Sequence, residues 1–489
     1  MPKEGNLTRR ILFRFVDVLY LIMMVLILGV TVIIEKNGIY YPGVYTIPNL
    51  ACYGLAGILL LLLVAAYQHF GQPSEKLYKG LVAAVMLITA AGITAFIVTT
   101  SPDEPVSDMM RVRNMARNFS AGLNIASPEI EKSEWAYFMK FYYNINLAAL
   151  FSWINSLFGS WYAVEAAGGL CTLLSLLLIT LSVKNITGNR FASLAVCILT
   201  APFLALTKRA YVPYTDNFGL IFAALIIWLS TTRLKAPYKL VLLVLASVVG
   251  FWIKATIAIL PLALILTLII HARKEHFSAL MNRRGAAAIL LSALIIFGGM
   301  KAGPAIREHY GFSESNRMVS WHYFFMFGQD TKGMGTAKGK AFRELWKQKF
   351  QEGATLEEQR AAFLRQGLDW IRERGFRGNL DFYSKKLDIA YNDGYLGAAQ
   401  KHPSALVNSM QVLWDMLLLI LLAGAFRGSW KDRRRGFMCF LKASLLGVTM
   451  YLMLFEDRAK YLWMFLPVFM TFAGMTLARM DFRSKAQLP

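Results

Sequence analysis

The chain has 489 residues, of which 56% are hydrophobic and 17% charged, and its formal net charge is +22. This balance excludes an ordinary soluble domain and indicates an integral membrane protein. The basic residues are dispersed through short loops between apolar blocks instead of forming one polar domain, so we expect no nucleic-acid partner.

Apolar blocks long enough to cross a hydrocarbon core of about 30 Å run along nearly the whole chain. The first follows the basic start MPKEGNLTRRILFR and has no small-residue cleavage signature, so we expect it to be retained as a span. We predict an all-α polytopic membrane protein of about twelve spans: Phe15–Ile34, Leu50–Tyr67, Gly80–Thr100, Trp161–Val183, Phe191–Leu206, Phe218–Ser230, Leu240–Ile253, Ala255–Ile270, Ala286–Met300, Ser409–Ala425, Phe437–Phe455 and Tyr461–Ala478.

Alternate loops along the chain are rich in lysine and arginine. The basic loops are RRILFR, EKLYK, KNITGNR, TTRLKAPYK, HARKEHFSALMNRR, RGSWKDRRRG and RMDFRSK. Because basic loops stay in the cytoplasm, this pattern predicts that both termini are cytoplasmic.

One apolar segment, Tyr142–Phe158, does not fit the span count. As a further span it would invert every later loop, so we interpret it as an interfacial or re-entrant helix on the external side. The alternative is an ordinary span, with another span lost elsewhere.

Two external segments are long enough to have structure of their own. We therefore divide the chain into an N-terminal transmembrane module, 1–300, with a long external loop at 101–160, an external and mostly helical region, 301–408, and C-terminal transmembrane helices, 409–489. In the external region, Thr355 to Glu358 form a capping box that predicts a helix start, and Gly375 can end that helix.

The stretch TTSPDEPVSDMMRVRN contains three carboxylates at the outer end of the third span. Asp103 and Glu104 are typical of a solvated helix exit. Asp108 differs, because apolar residues follow it with the spacing of an amphipathic helix, at Met109, Val112, Met115 and Phe119. A carboxylate at the membrane boundary can accept a proton from an incoming hydroxyl or amine.

Other external turns also carry charged side chains. Asp216 lies at the mouth of the sixth span, either as a structural salt link or cap, or as a second carboxylate facing the same external cavity. Lys254 lies where the chain turns back between two spans, and a cation there is paired, snorkelling or functional, for example in binding an anionic headgroup. The last external turn carries Glu456, Arg458 and Lys460, and arginine there can hold a phosphate through two parallel hydrogen bonds.

Several classes of chemistry are not favoured. His322, in SWHYFFMFGQD, is either a packed interface residue or a catalytic one. The four cysteines lie inside apolar blocks without paired short spacing, so neither a disulfide framework nor a zinc site is expected. No nucleotide-binding loop is present in the sequence, so a soluble nucleotide is not an obvious substrate.

The order of these motifs resembles the GT-C glycosyltransferases that use polyprenyl-phosphate sugars. Within them the chain is similar to bacterial relatives of protein O-mannosyltransferases and of the aminoarabinose transferase of lipid A, as in glycosyltransferase family 39. The motifs that carry the resemblance are PVSDMMRVRNMA, YYNINLAALFSWINSLFG, YVPYTDNF, WIKATIAILP, HYFFMFGQDTKGMG, KKLDIAYNDG and FEDRAKYLWMFLP.

The resemblance implies a sugar transfer at the outer face of a bacterial cytoplasmic membrane. The donor would be a polyprenyl-phosphate sugar, for example on undecaprenyl phosphate, and the acceptor a cell-envelope glycan such as a wall polysaccharide, a glycolipid or a protein. Asp108, in the loop 101–160, would be the general base of an inverting attack, with Lys254 and Arg458 stabilising the leaving phosphate. Residues expected to bind or orient substrate are Asp216, Glu456, His322, Lys460 and Tyr461, and Asp103 and Glu104 are possible secondary acids.

No cofactor is required, and we do not favour a metal, although Asp103, Asp108 and Asp216 offer oxygen ligands of the kind that a divalent cation prefers. A flippase or transporter of a lipid-linked sugar is the main alternative. Transporters tend to have internal repeats and ionisable residues near the bilayer midplane, whereas here the charges cluster at external span ends. A third possibility is a scaffold subunit of a cell-envelope assembly machine.

Overall fold

The computed structural model of the chain describes residues 4–34, 45–100, 108–210, 212–272, 283–313, 321–329, 345, 348–349, 352–394, 396, 403–426, 432–455 and 458–480. Three predicted site residues, Asp103, Glu104 and Glu456, lie outside these ranges. No β-strand occurs in the ranges given above, and the regular structure there is helical. The all-α fold class is therefore confirmed.

The helices follow one another with short connections through most of the chain. In order, they are α1 (Glu4–Ile33), α2 (Asn49–Phe70), α3 (Glu75–Thr100), α4 (Asp108–Ser120), α5 (Lys132–Lys140), α6 (Asn144–Phe158), α7 (Trp161–Thr187), α8 (Arg190–Ala205), α9 (Thr215–Thr231), α10 (Ala236–Ile253), α11 (Ile259–Ala272), α12 (Arg283–His309), α13 (Trp321–Gln329), α14 (Leu356–Tyr391), α15 (Ser404–Phe426), α16 (Asp432–Leu454), α17 (Lys460–Trp463) and α18 (Leu466–Ala478). Short 3₁₀ turns, Lys208–Ala210 and Ala255–Ala258, precede α9 and α11.

Each apolar block predicted as a span lies in helical structure and extends at most one residue beyond it, and several of the helices are longer than the predicted block. The block Tyr461–Ala478 is divided between two helices. Among the described residues, seven helices are long and apolar enough to cross a membrane, and four shorter apolar helices accompany them. The prediction of a multi-pass membrane protein is therefore confirmed.

The last helix, α18, forms the centre of the bundle. It packs against α7, α8, α9, α15 and α16, and every residue from Leu466 to Leu477 is buried. Small residues allow this close packing, as membrane helix interfaces require: a Cβ added to Gly424 would lie 2.4 Å from Cε1 of Phe472. By contrast, α2 and α3 expose leucines and isoleucines such as Leu61 and Ile88, which is a surface suited to hydrocarbon.

The segment 108–160 folds as three helices, α4, α5 and α6, at one end of the bundle. In α4 the buried side chains are Val112, Met115, Ala116 and Phe119, which confirms the amphipathic helix that begins at Asp108. Helix α6 packs against α4, α7, α10 and α12. Its 15 residues extend about 22 Å, less than the thickness of the hydrocarbon core, and it is not one of the seven candidate spans. This length supports an interfacial position for Tyr142–Phe158.

Helix α14 lies in the second external segment and begins as predicted. The backbone N–H of Thr355 donates to Glu358 Oε2 at 2.8 Å, and the Glu358 N–H donates to Thr355 Oγ1 at 3.3 Å, which completes the capping box. Gly375 has φ +58° and interrupts the helix, and a second helical stretch then continues to Tyr391. The kink lies where the sequence predicted a helix end.

Candidate active site

Asp108 is the first residue of α4 and is partly buried. At the N-terminus of a helix a carboxylate is stabilised by the helix dipole. Its charge acts on the phenols of Tyr137, in α5, and Tyr214, the residue before α9. Asp108 is therefore close to the turn that carries Asp216, as expected if both carboxylates belong to one site.

The two tyrosines form a buried hydrogen-bonded pair next to Asp108. Their hydroxyl groups are bonded to one another, and Asn144 Nδ2 lies 2.7 Å from the Tyr137 hydroxyl, to which it donates. Burial is the main cause that raises the pKa of both phenols well above the usual value, and the carboxylate of Asp108 adds to the effect. Both phenols therefore stay protonated. One O–H is used in the bond between them, and the other can donate to an oxygen-rich ligand.

Asp216 lies in the first turn of α9 and is 3% exposed. Arg209 Nη1 donates to Asp216 Oδ2 at 2.7 Å, and the ammonium of Lys254 is paired with Oδ1. A third cation, Lys460, acts on the same carboxylate through its charge. Two cations therefore pair with this carboxylate, and a third lies near it.

Lys254 reaches this cluster from the C-terminal cap of α10, where its backbone is extended. Its ammonium lies 5.2 Å from the centre of the Tyr461 ring, and the ammonium of Lys460 lies 5.1 Å from the same ring. Tyr461 thus joins the last external turn to Lys254, and cation–π attraction holds both lysines near it. The backbone N–H of Tyr461 donates to the carbonyl of Arg458 at 3.0 Å, so Arg458 belongs to the same turn.

These contacts decide between some of the alternatives left by the sequence. Asp216 does form a salt link, but with Lys254 as well as with its neighbour Arg209, so it also joins α9 to the end of α10. Lys254 is a paired cation. Three cations lie around Asp216, and an anionic ligand is compatible with such a cluster.

His322 lies at the start of α13, where its ring stacks on Trp321 with 3.7 Å between ring centres. The next residue, Tyr323, is buried and lies 4.6 Å below the ammonium of Lys140 at the end of α5. Helix α13 therefore lies near the end of α5, the helix that carries Tyr137. A role for His322 in binding stays a prediction.

The sequence did not single out Tyr137, Tyr214 or Asn144. They lie on three separate helices or turns, and no local spacing relates them. The motif YVPYTDNF does contain Tyr214, two residues before Asp216, and that proximity was the available signal. In the parts of the chain described above, no group of three or more histidine, cysteine or acidic side chains is arranged to hold a metal ion.

Comparison with known proteins identifies the class of enzyme. Residues 146–298 match the family model described as dolichyl-phosphate-mannose-protein mannosyltransferase. This match supports a membrane glycosyltransferase of the GT-C type. No curated protein and no solved structure matches it.

The matched part of the glycosyltransferase runs from α6 into α12 and includes the cluster of Arg209, Asp216 and Lys254. Asp108 lies before it, and Arg458 to Tyr461 lie after it. In the folded glycosyltransferase these flanking residues pack onto the matched part, because Asp108 acts on Tyr214 and Tyr461 contacts Lys254.

Proposed function

We propose that the enzyme transfers a sugar from a polyprenyl-phosphate carrier to a hydroxyl group of a cell-envelope acceptor, on the extracytoplasmic face of a bacterial membrane. The observation that supports this most is a carboxylate, Asp108, close to the three cations that lie around Asp216. Tyr214 interacts with the carboxylates on both sides, Asp108 and Asp216. A base and an anion site side by side are what transfer from a lipid phosphate requires.

In the proposed reaction, Asp108 accepts the proton of the acceptor hydroxyl as its oxygen attacks the anomeric carbon of the sugar. The new carbon–oxygen bond forms as the bond from that carbon to the phosphate oxygen breaks, and the electron pair leaves with the phosphate. Attack opposite the leaving group inverts the anomeric configuration. The proton remains on Asp108 until the product leaves.

The leaving group gains one negative charge in this step, because a phosphodiester becomes a phosphomonoester. Preorganised cations that face the developing charge stabilise the transition state more than the substrate. Lys254, Lys460 and Arg458 are the proposed phosphate ligands. Asp216 has the second role of holding Lys254 in place, since an ammonium on a four-carbon stem otherwise samples many rotamers.

The remaining predicted residues are proposed to bind or orient substrate: His322, Glu456 and Tyr461, with Asp103 and Glu104 as secondary acids. No metal or cofactor takes part in the proposed step. The basic loops, which the sequence assigns to the cytoplasmic face, support an extracytoplasmic side for the site.

Purified enzyme in liposomes tests this function. It receives a radiolabelled polyprenyl-phosphate sugar and membrane acceptors, and both labelled acceptor and movement of the lipid between leaflets are measured. We expect transfer by the wild type, none by Asp108→Asn, and full transfer by the control Asp381→Asn, which changes an exposed carboxylate on α14. Movement of lipid without transfer would favour a flippase and contradict the proposal.

A further inference from the structure

A buried lysine outside the cluster, Lys386, connects the external helix α14 to the rest of the protein. Its side chain is 0% exposed. The ammonium donates to three backbone carbonyl oxygens, those of Gly328 at 3.0 Å, Met453 at 2.9 Å and Phe455 at 2.6 Å. An ammonium has three N–H donors, and here each has a carbonyl partner.

The three carbonyl groups belong to the C-terminal ends of two helices. Gly328 is next to the last residue of α13, and Met453 and Phe455 flank Leu454, the last residue of α16. The last carbonyl groups of a helix have no partner within it and carry the negative end of its dipole. One lysine therefore caps both ends, which offsets the cost of burying its charge.

A second set of contacts also connects the ends of α13 and α16 with α14. Gln329 Nε2 donates to the carbonyl oxygen of Leu454 at 3.1 Å, and its Oε1 accepts from Tyr383 at 2.9 Å and from Arg374 at 3.1 Å. Gly328 lies directly against the α16 end, because an added Cβ would be 2.5 Å from the carbonyl carbon of Phe455. The end of α16 is therefore fixed from several directions.

Phe455 is followed after two residues by Arg458, and then by Lys460 and Tyr461, whose contacts with Lys254 and Asp216 are described above. The place where α16 ends sets where this last external turn begins. We propose that Lys386 is a positioning residue, which keeps the last external turn in the place where its cations meet the phosphate of the lipid donor. This inference rests on the proposed function and adds to it a residue that touches no substrate.

The segment that follows α14 supports the same role. The carbonyl of Leu396, five residues after Tyr391, accepts a hydrogen bond from Arg209 Nε at 3.2 Å. Leu396 has φ +55°, a left-handed conformation that costs a non-glycine residue about 1–2 kcal/mol and is found where surrounding structure enforces it. The C-terminal part of α14 and the segment after it therefore contact Arg209 on one side and the end of α16, which precedes the Arg458 turn, on the other.

Steady-state kinetics of Lys386→Met test the proposal, with Lys385→Met as the matched control because Lys385 is exposed and pairs with Asp381. Donor and acceptor concentrations are varied separately on enzyme that elutes as a single folded species. We expect kcat/KM for the donor to fall about tenfold or more, since displacing a binding group by about 1 Å can cost up to a hundredfold. The acceptor KM should not change, and Lys385→Met should resemble the wild type.

Gly328→Ala provides an independent route to the same turn, because its new methyl group must displace Phe455 while Lys386 remains. Gly328→Ala should likewise lower kcat/KM for the donor. It can be tested even if Lys386→Met does not fold. Gly80→Ala is its control, since a Cβ at Gly80 meets nothing within 4 Å. Wild-type donor kinetics in a folded Lys386→Met or Gly328→Ala enzyme would overturn the positioning role alone. Absence of transfer by the wild-type enzyme would overturn the proposed function and this role with it.

Discussion

The ion pairs of Asp216 should dominate the stability of the cluster, and a double-mutant cycle between Asp216 and Lys254 measures this. The Asp216 side chain is 5% exposed and that of Lys254 is 14% exposed, so water screens their interaction little. Removing one partner of a buried pair leaves an uncompensated charge and costs about 3–5 kcal/mol. The loss of stability in Lys254→Met should be at the lower end of this range, because Arg209 still pairs with the Asp216 carboxylate.

Asp216→Asn should be at the upper end of that range, because it leaves three cations near one another without a carboxylate. The double variant removes the unpaired partner as well, so its loss should be smaller than the sum of the single losses by about 2–3 kcal/mol. The free energy of unfolding is measured by titration with sodium dodecyl sulfate in mixed micelles. Lys184→Met is the control, since its partner Glu75 is half exposed, and no measurable change is expected.

Additive single losses would show that the two side chains do not stabilise one another and would contradict the buried ion pair. A Lys254→Met loss as small as that of Lys184→Met would have the same meaning. In either case Asp216 would not hold Lys254 in place, and its proposed second role would be wrong.

Three further changes test separate parts of the structure. Tyr214→Phe removes the hydroxyl bonded to Tyr137, and we expect the transfer rate to fall about tenfold with little change in donor affinity. Thr355→Ala breaks the capping box of α14, so amide hydrogen exchange in its first turn should accelerate. Because bonds from Thr355 lower the pKa of Glu358, the box stabilises the helix at neutral pH and its contribution is lost as the pH falls through that lowered pKa. Gly424→Ala should cost about 1–3 kcal/mol of stability, because the added methyl group overpacks the contact with Phe472.

Each of these changes has a result that would contradict its reasoning. For Tyr214→Phe it is an unchanged transfer rate. For Thr355→Ala it is amide exchange in the first turn of α14 that stays as slow as in the wild type, or a wild-type protection of that turn that acid pH does not weaken. For Gly424 the matched control is Gly57→Ala in α2, where a Cβ meets nothing within 4 Å. Equal losses for the two glycines would show that the close approach of α15 and α18 is not what limits the size of residue 424.

The helices could be predicted from the sequence because hydrophobic length is a local property. The predicted span Leu50–Tyr67 lies within helix α2, Asn49–Phe70, and the predicted span Trp161–Val183 lies within α7, Trp161–Thr187. The amphipathic helix at Asp108 was also predictable, since a spacing of three or four residues defines one helix face.

The partners of the site residues could not be predicted in the same way. The lysine that pairs with Asp216 is 38 residues further along the chain, and the ring that contacts Lys254 comes from the last external turn. Lys386 lies in the motif KKLDIAYNDG, but its role was not predicted, because its partners are backbone carbonyl groups and no side-chain pattern reveals them. Packing between distant helices determines such contacts, and a single sequence does not encode it in a readable pattern.

The most direct test of Asp108 as the base separates binding from chemistry. Single-turnover transfer at saturating donor is measured for the wild type and Asp108→Asn, together with the affinity of each for polyprenyl phosphate. Because the side chain acts on a proton and not on the phosphate, we expect the rate to fall by roughly a hundredfold or more while the affinity changes less than about threefold. A variant that transfers sugar at the wild-type rate would show that Asp108 is not the base.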